Sequence, residues 1–308
     1  MLPDEMRELR AMTDRVRDVF EKAGYGELYT PALEYQATFE QAESSVTPAY
    51  RIFDEHGEVL VLRSDMTVPI ARLVATRYEQ AEPPFRFCYL AHAYRGVRPQ
   101  RGQSRELLQA GIELIGAPAP DGTVEALTVL CQALDAAGLK TYRVGLGDAS
   151  LYPALLETVG VDGSRREDIL TELVRGDFVG IERELQEVAI PESDRDLLLR
   201  VPRTRGGPEV LKKLPQRLEQ ATSGMRAVHE KLEPAVAEKV IFDLGLVRML
   251  GYYTGAVFQV YDPAYGTPIG SGGRYDELLG RFGRPLPAVG FALNVERLHI
   301  ALTAEERQ

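Results

Sequence analysis

A chain of 308 residues with 44% hydrophobic and 27% charged positions can bury a large core, and it reads as a soluble globular protein of one large domain with a smaller module. Its 46 acidic residues outweigh 36 basic ones for a net charge of -10, which argues against a general nucleic-acid surface. Two cysteines (Cys88, Cys131) and four scattered histidines (His56, His92, His229, His299) exclude a disulfide framework and offer no metal-ligand spacing; with no signal peptide and no long apolar run, no membrane is expected and the chain is expected in the cytoplasm.

In chain order, Met6, Leu9, Thr13, Val16 and Phe20 recur at three- and four-residue spacing, which predicts an amphipathic helix over Asp4 to Ala23 that Gly24 ends. Gly26 to Thr30 follows as a short strand closed by Pro31, in its plainest reading the edge of a sheet. Val59 to Thr67 alternates: Arg63, Asp65 and Thr67 share one face, Leu60 and Leu62 the other. Three polar side chains on one face of an apolar strand either meet solvent or line a cleft. Thr67 also stands where an N-cap would, with Pro69 in the first turn of a helix to about Arg77.

Phe85 to Tyr94 and Glu106 to Ile115 predict the two strands of a hairpin, joined by a loop that carries Arg95, Arg98, Arg101 and Arg105. Such a loop could clamp an anion, or be a solvated hairpin tip. On the return strand Gln109, Gly111, Glu113 and Ile115 share a face, with Gln109 and Glu113 roughly 13 Å apart. The glycine between them removes a side chain and leaves space. An amide and a carboxylate flanking a gap could hold a cationic amino group; alternatively Glu113 is a core carboxylate, paired with Arg248. Asp121 to Gly138 predicts a helix and Thr141 to Leu146 a strand, and residues 165–238 shift to a charge-rich helical pattern, an inserted module.

The stretch from Asp243 to Tyr261 organises the rest. Val257, Gln259 and Tyr261 fall on one side of a strand and Ala256, Phe258 and Val260 on the other, with burial expected on both faces. Arg248 sits among Leu246, Val247, Met249 and Leu250 and needs an anionic or carbonyl partner, and one of Tyr252 and Tyr253 could wall a pocket. A buried Arg–carboxylate pair and a ligand site explain this stretch equally well. Gly270 to Gly273 lacks the lysine and spacing of a P-loop, so turn chemistry is its first reading and close approach to a ligand its second. A helix with Asp276 near its start follows, and Ala288 to Thr303 predicts a closing strand and helix that contains Arg297.

Together these stretches resemble the catalytic core of a class II aminoacyl-tRNA synthetase, specifically a histidyl-tRNA synthetase, over almost the whole chain. The helix and strand ending at Pro31 resemble the first class motif, which in that family builds a dimer interface. AYRGVRPQRGQSRELLQ resembles the second motif and AVGFALNVERL the third, while LVRMLGYYTGAVF and SGGRYDELL resemble the two histidine-specific motifs. The implied fold is α+β: one class II synthetase-like domain over 1–308, with a mixed, mainly antiparallel sheet flanked by helices and the helical insertion at 165–238. The resemblance implies that histidine is held by Asp65, Thr67, Arg95, Gln109, Glu113, Arg248, Tyr252 and Tyr253. Asp65 and Glu113 would face its cationic ends, Arg95 and Arg248 its carboxylate, and Thr67 and a tyrosine would shape the ring slot. Arg297 implies a residual nucleotide contact.

Departures from the synthetase pattern fall on the activation chemistry. Asp65 is one methylene shorter than the family's glutamate. Val97 stands for a glutamate, Gln103 for an arginine, Met249 and Gly251 for a glycine and an aspartate, and Asn294 for a glycine where the backbone must approach ATP. Only five residues follow the final predicted helix, where a synthetase continues into an anticodon-binding domain, so none is expected. This combination, together with the SDMT segment, resembles the regulatory subunits of short-form ATP phosphoribosyltransferases. It implies a subunit with no catalytic residues, cofactor or metal, required by a short catalytic subunit at the first committed step of histidine biosynthesis. A homodimer within a hetero-octamer and feedback by L-histidine are implied as well. The rival readings are an enzyme that still adenylates histidine and a tRNA-binding sensor that uses the loop from Arg95 to Arg105. Histidine sensing at a subunit interface is the alternative to the synthetase-like pocket.

Overall fold

The computed structural model describes residues 2–42, 50–96, 104–246 and 251–307. The first helix, α1 (Pro3–Lys22), buries Leu9, Thr13, Val16 and Phe20 of the stripe expected from spacing and adds Met12, while Met6 is only half-buried. Two strands follow, β1 (Gly26–Glu27) and β2 (Leu33–Tyr35), then α2 (Gln36–Gln41), β3 (Arg51–Phe53), β4 (Val59–Leu62) and α3 (Thr67–Arg77). The hairpin strands are β5 (Phe85–Tyr94) and β6 (Glu106–Ile115), paired antiparallel from Phe85 opposite Ile115 to Tyr94 opposite Glu106. Both strands have the bounds that alternation predicts. The bond from Arg95 N–H to the Arg105 carbonyl extends the pairing by one step. Arg98 and Arg101 of the loop lie outside the described residues.

After α4 (Asp121–Ala137) and β7 (Arg143–Asp148) come α5 (Leu151–Thr158), α6 (Gly163–Arg175), α7 (Phe178–Gln186), α8 (Glu192–Arg200), β8 (Arg205–Gly206), α9 (Glu209–Lys212), α10 (Glu219–Lys231) and α11 (Pro234–Ala237). Helical structure thus begins at Leu151, upstream of the charge-rich composition. The chain then returns through β9 (Val240–Asp243), β10 (Ala256–Asp262), β11 (Tyr265–Arg274), α12 (Leu278–Arg281), β12 (Ala288–Asn294) and α13 (Val295–Glu305).

Nine strands form one mixed sheet in the order β1-β5-β6-β12-β11-β10-β7-β9-β8, parallel only at β1–β5 and β7–β9. A three-stranded sheet, β2-β4-β3, stands apart. On one face of the large sheet Ala110, Ile112, Leu114, Phe258, Val260, Phe291 and Leu293 meet α1, α4 and α13 in the main core, which also takes in Ile169, Leu173, Ile181 and Leu185 of the insertion. On the other face a smaller core joins Val68, Ile70 and Val74 of α3 to Tyr89, Ile115, Tyr253 and Val257. Burial on both faces is what the two-sided apolar content of β10 predicts.

Gly270 to Gly273 is neither a turn nor a loop. It is the interior of β11, and its glycines accommodate neighbouring strands. A Cβ on Gly272 would collide with the Phe258 ring, and one on Gly273 would lie 3.0 Å from Tyr253 Cδ1. The tight packing of large rings against β11, on both faces, requires the missing side chains.

Candidate functional site

The second face of the sheet holds a cavity of about 250 Å3. Its origin is a floor of small residues. Ala292 and Ser271 are cross-strand neighbours there, Gln259 lies opposite Ser271 on β10, and Gly290 lies two residues before Ala292 on β12. Between the helix α3 on one side and this depleted sheet there is too little side-chain volume to fill the space.

The turn into α3 supplies the acidic wall. Strand β4 stops at Leu62, so Arg63, Asp65 and Thr67 do not share a strand face as alternation predicts. Arg63 turns away from the cavity. Its Nε donates to the His92 carbonyl (2.8 Å) and its Nη1 to the carbonyls of Thr30 (2.5 Å) and Pro31 (3.2 Å), stitching the first segment to β5. Thr67 is the first residue of α3 rather than its cap. The capping side chain is Asp65, whose Oδ1 accepts from Val68 N at 2.9 Å. Asp65 is only 4% exposed, and burial raises its pKa against the opposing pull of that bond, Arg95 and Ser64.

Glu113 lies one layer behind the cavity wall. Its Oε1 accepts from the Thr67 hydroxyl (2.8 Å) and its Oε2 from the Tyr275 hydroxyl, both on residues that do line the cavity. The side chain lies flat on β12, where a methyl on Gly290 would overlap Oε2. Burial pushes the carboxyl up to about 8, although both hydroxyls favour its charged form. Gly111 leaves no gap for a ligand between Gln109 and Glu113. The Tyr89 ring, from the paired strand, occupies the volume that a side chain at Gly111 would need.

The walls include Asp65, Thr67, Arg95, Gln109, Tyr253 and Arg297. Arg95 Nε donates to the Ser64 carbonyl (3.1 Å) and Arg297 Nη1 to the Pro268 carbonyl (2.8 Å), and neither forms an ion pair among the described residues. Tyr252 stands behind Tyr253, ring centroids 5.5 Å apart and edge-on, and its buried hydroxyl has no hydrogen-bond partner among the described residues. Arg248 lies outside the described residues, as do Val97, Gln103 and Met249. Asn294 accepts from Arg297 N at 2.8 Å and so caps α13 from the cavity wall. Gly251 adopts φ +68, a left-handed conformation.

Several wall residues were not marked by the sequence as site residues: Tyr89, Leu107, Gln259, Ser271 and Tyr275. Strand parity had placed Gln259 on one face with Val257, but did not reveal that this face was hollow. No group of three or more His, Cys, Asp or Glu among the described residues could hold a metal ion. No helix among them is long and apolar enough to cross a membrane.

A family model described as histidyl-tRNA synthetase matches residues 1–298. The ATP phosphoribosyltransferase regulatory subunit of Desulforamulus reducens is 36% identical over 98% of this chain and 77% of its own length. That of Moorella thermoacetica is 38% identical over 98% of this chain and 79% of its own. The chain belongs to this histidyl-tRNA synthetase-like family of ATP phosphoribosyltransferase regulatory subunits. A crystal structure described as an ATP phosphoribosyltransferase regulatory subunit/histidyl-tRNA synthetase from Bacillus halodurans superposes with a TM-score of 0.89 at 33% identity, over 98% of this chain and 80% of that one. The α+β class II synthetase-like fold expected from the motifs is therefore the fold of this family, and the cavity sits on the face of its sheet that α3 covers.

Proposed function

We propose that this chain is a non-catalytic regulatory subunit of ATP phosphoribosyltransferase in histidine biosynthesis, and that it binds L-histidine in the cavity described above. The observation that carries the effector reading is the polar make-up of the wall. A buried carboxyl, Asp65, and two guanidiniums without carboxylate partners among the described residues, Arg95 and Arg297, face one small space. A zwitterion complements that set: its ammonium suits Asp65 and its carboxylate a guanidinium. At about 250 Å3 the cavity falls just below the roughly 300–1,000 Å3 typical of drug-sized ligands, so an amino acid is an appropriate guest. Tyr89, Tyr253 and Tyr275 supply aromatic surface for an imidazole. Thr67 and Gln109 add hydrogen-bonding groups, and Glu113 and Tyr252 support the wall from behind. Arg248 joins this set on its sequence motif alone.

Histidine bound more tightly by one conformation of the subunit would bias an attached catalytic subunit toward feedback inhibition, by about 1–3 kcal/mol of coupling. The catalytic partner would be the short form of the enzyme, and the assembly a hetero-octamer built on a homodimer. A patch of exposed Tyr29, Leu33, Tyr35, Ile52 and Phe53 around the three-stranded sheet supports contact between two copies. Two buried free cysteines suit a reducing compartment, and we place the assembly in the cytoplasm.

Isothermal titration with L-histidine tests the effector site. Wild-type protein should release heat, and Arg95→Ala should weaken binding at least about tenfold, the loss of one charge-assisted bond. No heat from wild-type protein would remove the effector reading. Pyrophosphate exchange with ATP and histidine should stay at background, and enzyme-like exchange would mean that adenylation survives.

A further inference from the structure

One run of polar side chains leaves the cavity wall and ends on the helical insertion. Gln259 on β10 lines the cavity and is 9% exposed. Two residues along the same strand face, the Tyr261 hydroxyl donates to Gln259 Oε1 at 2.6 Å and lies 3.5 Å from Asp243 Oδ2. Asp243 on β9 is fully buried. Its Oδ2 accepts from Arg205 Nε at 2.7 Å and its Oδ1 from Gly245 N at 3.1 Å. Arg205 is the cross-strand partner of Asp243 and belongs to β8, inside the insertion. Gly145 opens the path: a Cβ there would lie 3.1 Å from Tyr261 Cε2 and 3.3 Å from Asp243 Cβ. The bare β7 backbone leaves the phenol ring room to cross from β10 toward β9.

Counted over the described residues, the proton inventory of this run allows two settings. A carboxylate only accepts, a guanidinium only donates, and a phenol has one proton to give. Burial, and next the Asp243 carboxylate, push the Tyr261 phenol up to about 12, so it keeps that proton at neutral pH. In the observed setting the proton goes to the Gln259 carbonyl. In the other it goes to Asp243, and the amide turns over to donate to the phenol oxygen. A ligand group at the cavity wall that prefers one end of the amide selects a setting. The setting in turn decides whether Asp243 is held by Arg205 alone on that oxygen or shared with Tyr261.

Resting on the reading that the cavity takes histidine, we propose that Gln259 contacts the ligand and that Tyr261 and Asp243 are positioning residues linking its amide to Arg205, so that the helical insertion senses whether the cavity is filled. The test is backbone hydrogen exchange of the intact chain with and without saturating L-histidine, alongside calorimetry. Histidine should change exchange by about threefold or more at Gly206 and at Leu244, whose N–H bonds the Thr204 carbonyl at 3.1 Å. Tyr261→Phe removes only the hydroxyl. It should bind histidine within about threefold of wild type and lose the exchange response. Gln259→Met should weaken binding about tenfold, as expected for one buried hydrogen bond. Should Tyr261→Phe lose cooperative melting, Arg205→Gln at the exposed end carries the same expectation: binding retained, response lost. A full response in the folded variant, or heat from wild-type protein with no change at β8 and β9, overturns the link alone. Absence of heat from wild-type protein overturns the histidine reading and the link with it.

Discussion

Glu113 shows how burial rather than sequence sets a residue's chemistry. Its two hydroxyl donors stabilise the anion, yet desolvation wins and the carboxyl titrates at about 8. Because the folded pKa exceeds the unfolded one, the native state binds the extra proton between about pH 4.5 and 8, and stability falls as pH rises through that window. Glu113→Gln removes this dependence. Chemical denaturation of the ligand-free proteins should therefore show the variant gaining on wild type, by up to a few kcal/mol, between about pH 5 and 8.5. A constant difference across that range would mean that Glu113 is charged throughout. The same side chain explains a glycine. Gly290→Ala places a methyl into Glu113 Oε2, held by the Tyr275 hydroxyl, and into the Ile112 carbonyl of the paired strand. It should cost about 3 kcal/mol by the same measurement, in the upper range for overpacking.

At the scale of the element, the start of α3 carries two duties on one side chain. Asp65 caps the helix through Val68 N and lines the cavity. These duties separate by substitution. Asparagine caps as well as aspartate but has no charge, so Asp65→Asn should melt within about 1 °C of wild type while losing most histidine affinity. Asp65→Ala should lose about 1 kcal/mol of stability in addition. Equal stability of the two variants in denaturant titrations would remove the cap from the account. The bounds of the β5 and β6 hairpin strands were legible to the residue, because apolar runs on either side of a polar loop mark both strands. The start of α3 was not, because Ser64 to Met66 leave strand geometry and parity no longer says where Arg63 and Asp65 point. Likewise Gly111 marked a place where something comes close, but only the neighbouring strand showed that Tyr89 fills it.

On the scale of the whole molecule, ligand occupancy and stability are linked. A histidine concentration about one hundredfold above Kd should add about 2.7 kcal/mol to the native state, visible as a rise of a few degrees in the melting midpoint. Arg95→Ala should shrink that rise at the same concentration, whereas a substitution on the exposed patch around Phe53 should leave it unchanged.

Sequence alone determined α1, the β5–β6 hairpin, α4 and the closing strand and helix, along with the α+β class and the family, because hydrophobic periodicity and local motifs are properties of neighbouring residues. It also marked Asp65, Thr67, Arg95, Gln109, Tyr253 and Arg297 of the cavity wall, but not Tyr89, Gln259 or Tyr275. Only the tertiary structure decided which of them meet. Strands far apart in sequence lie side by side in the sheet, and the cavity forms where Gln259, Ser271 and Ala292, from three different strands, fall in one row. A void is the absence of atoms from several segments at once, and no single stretch of the chain records it.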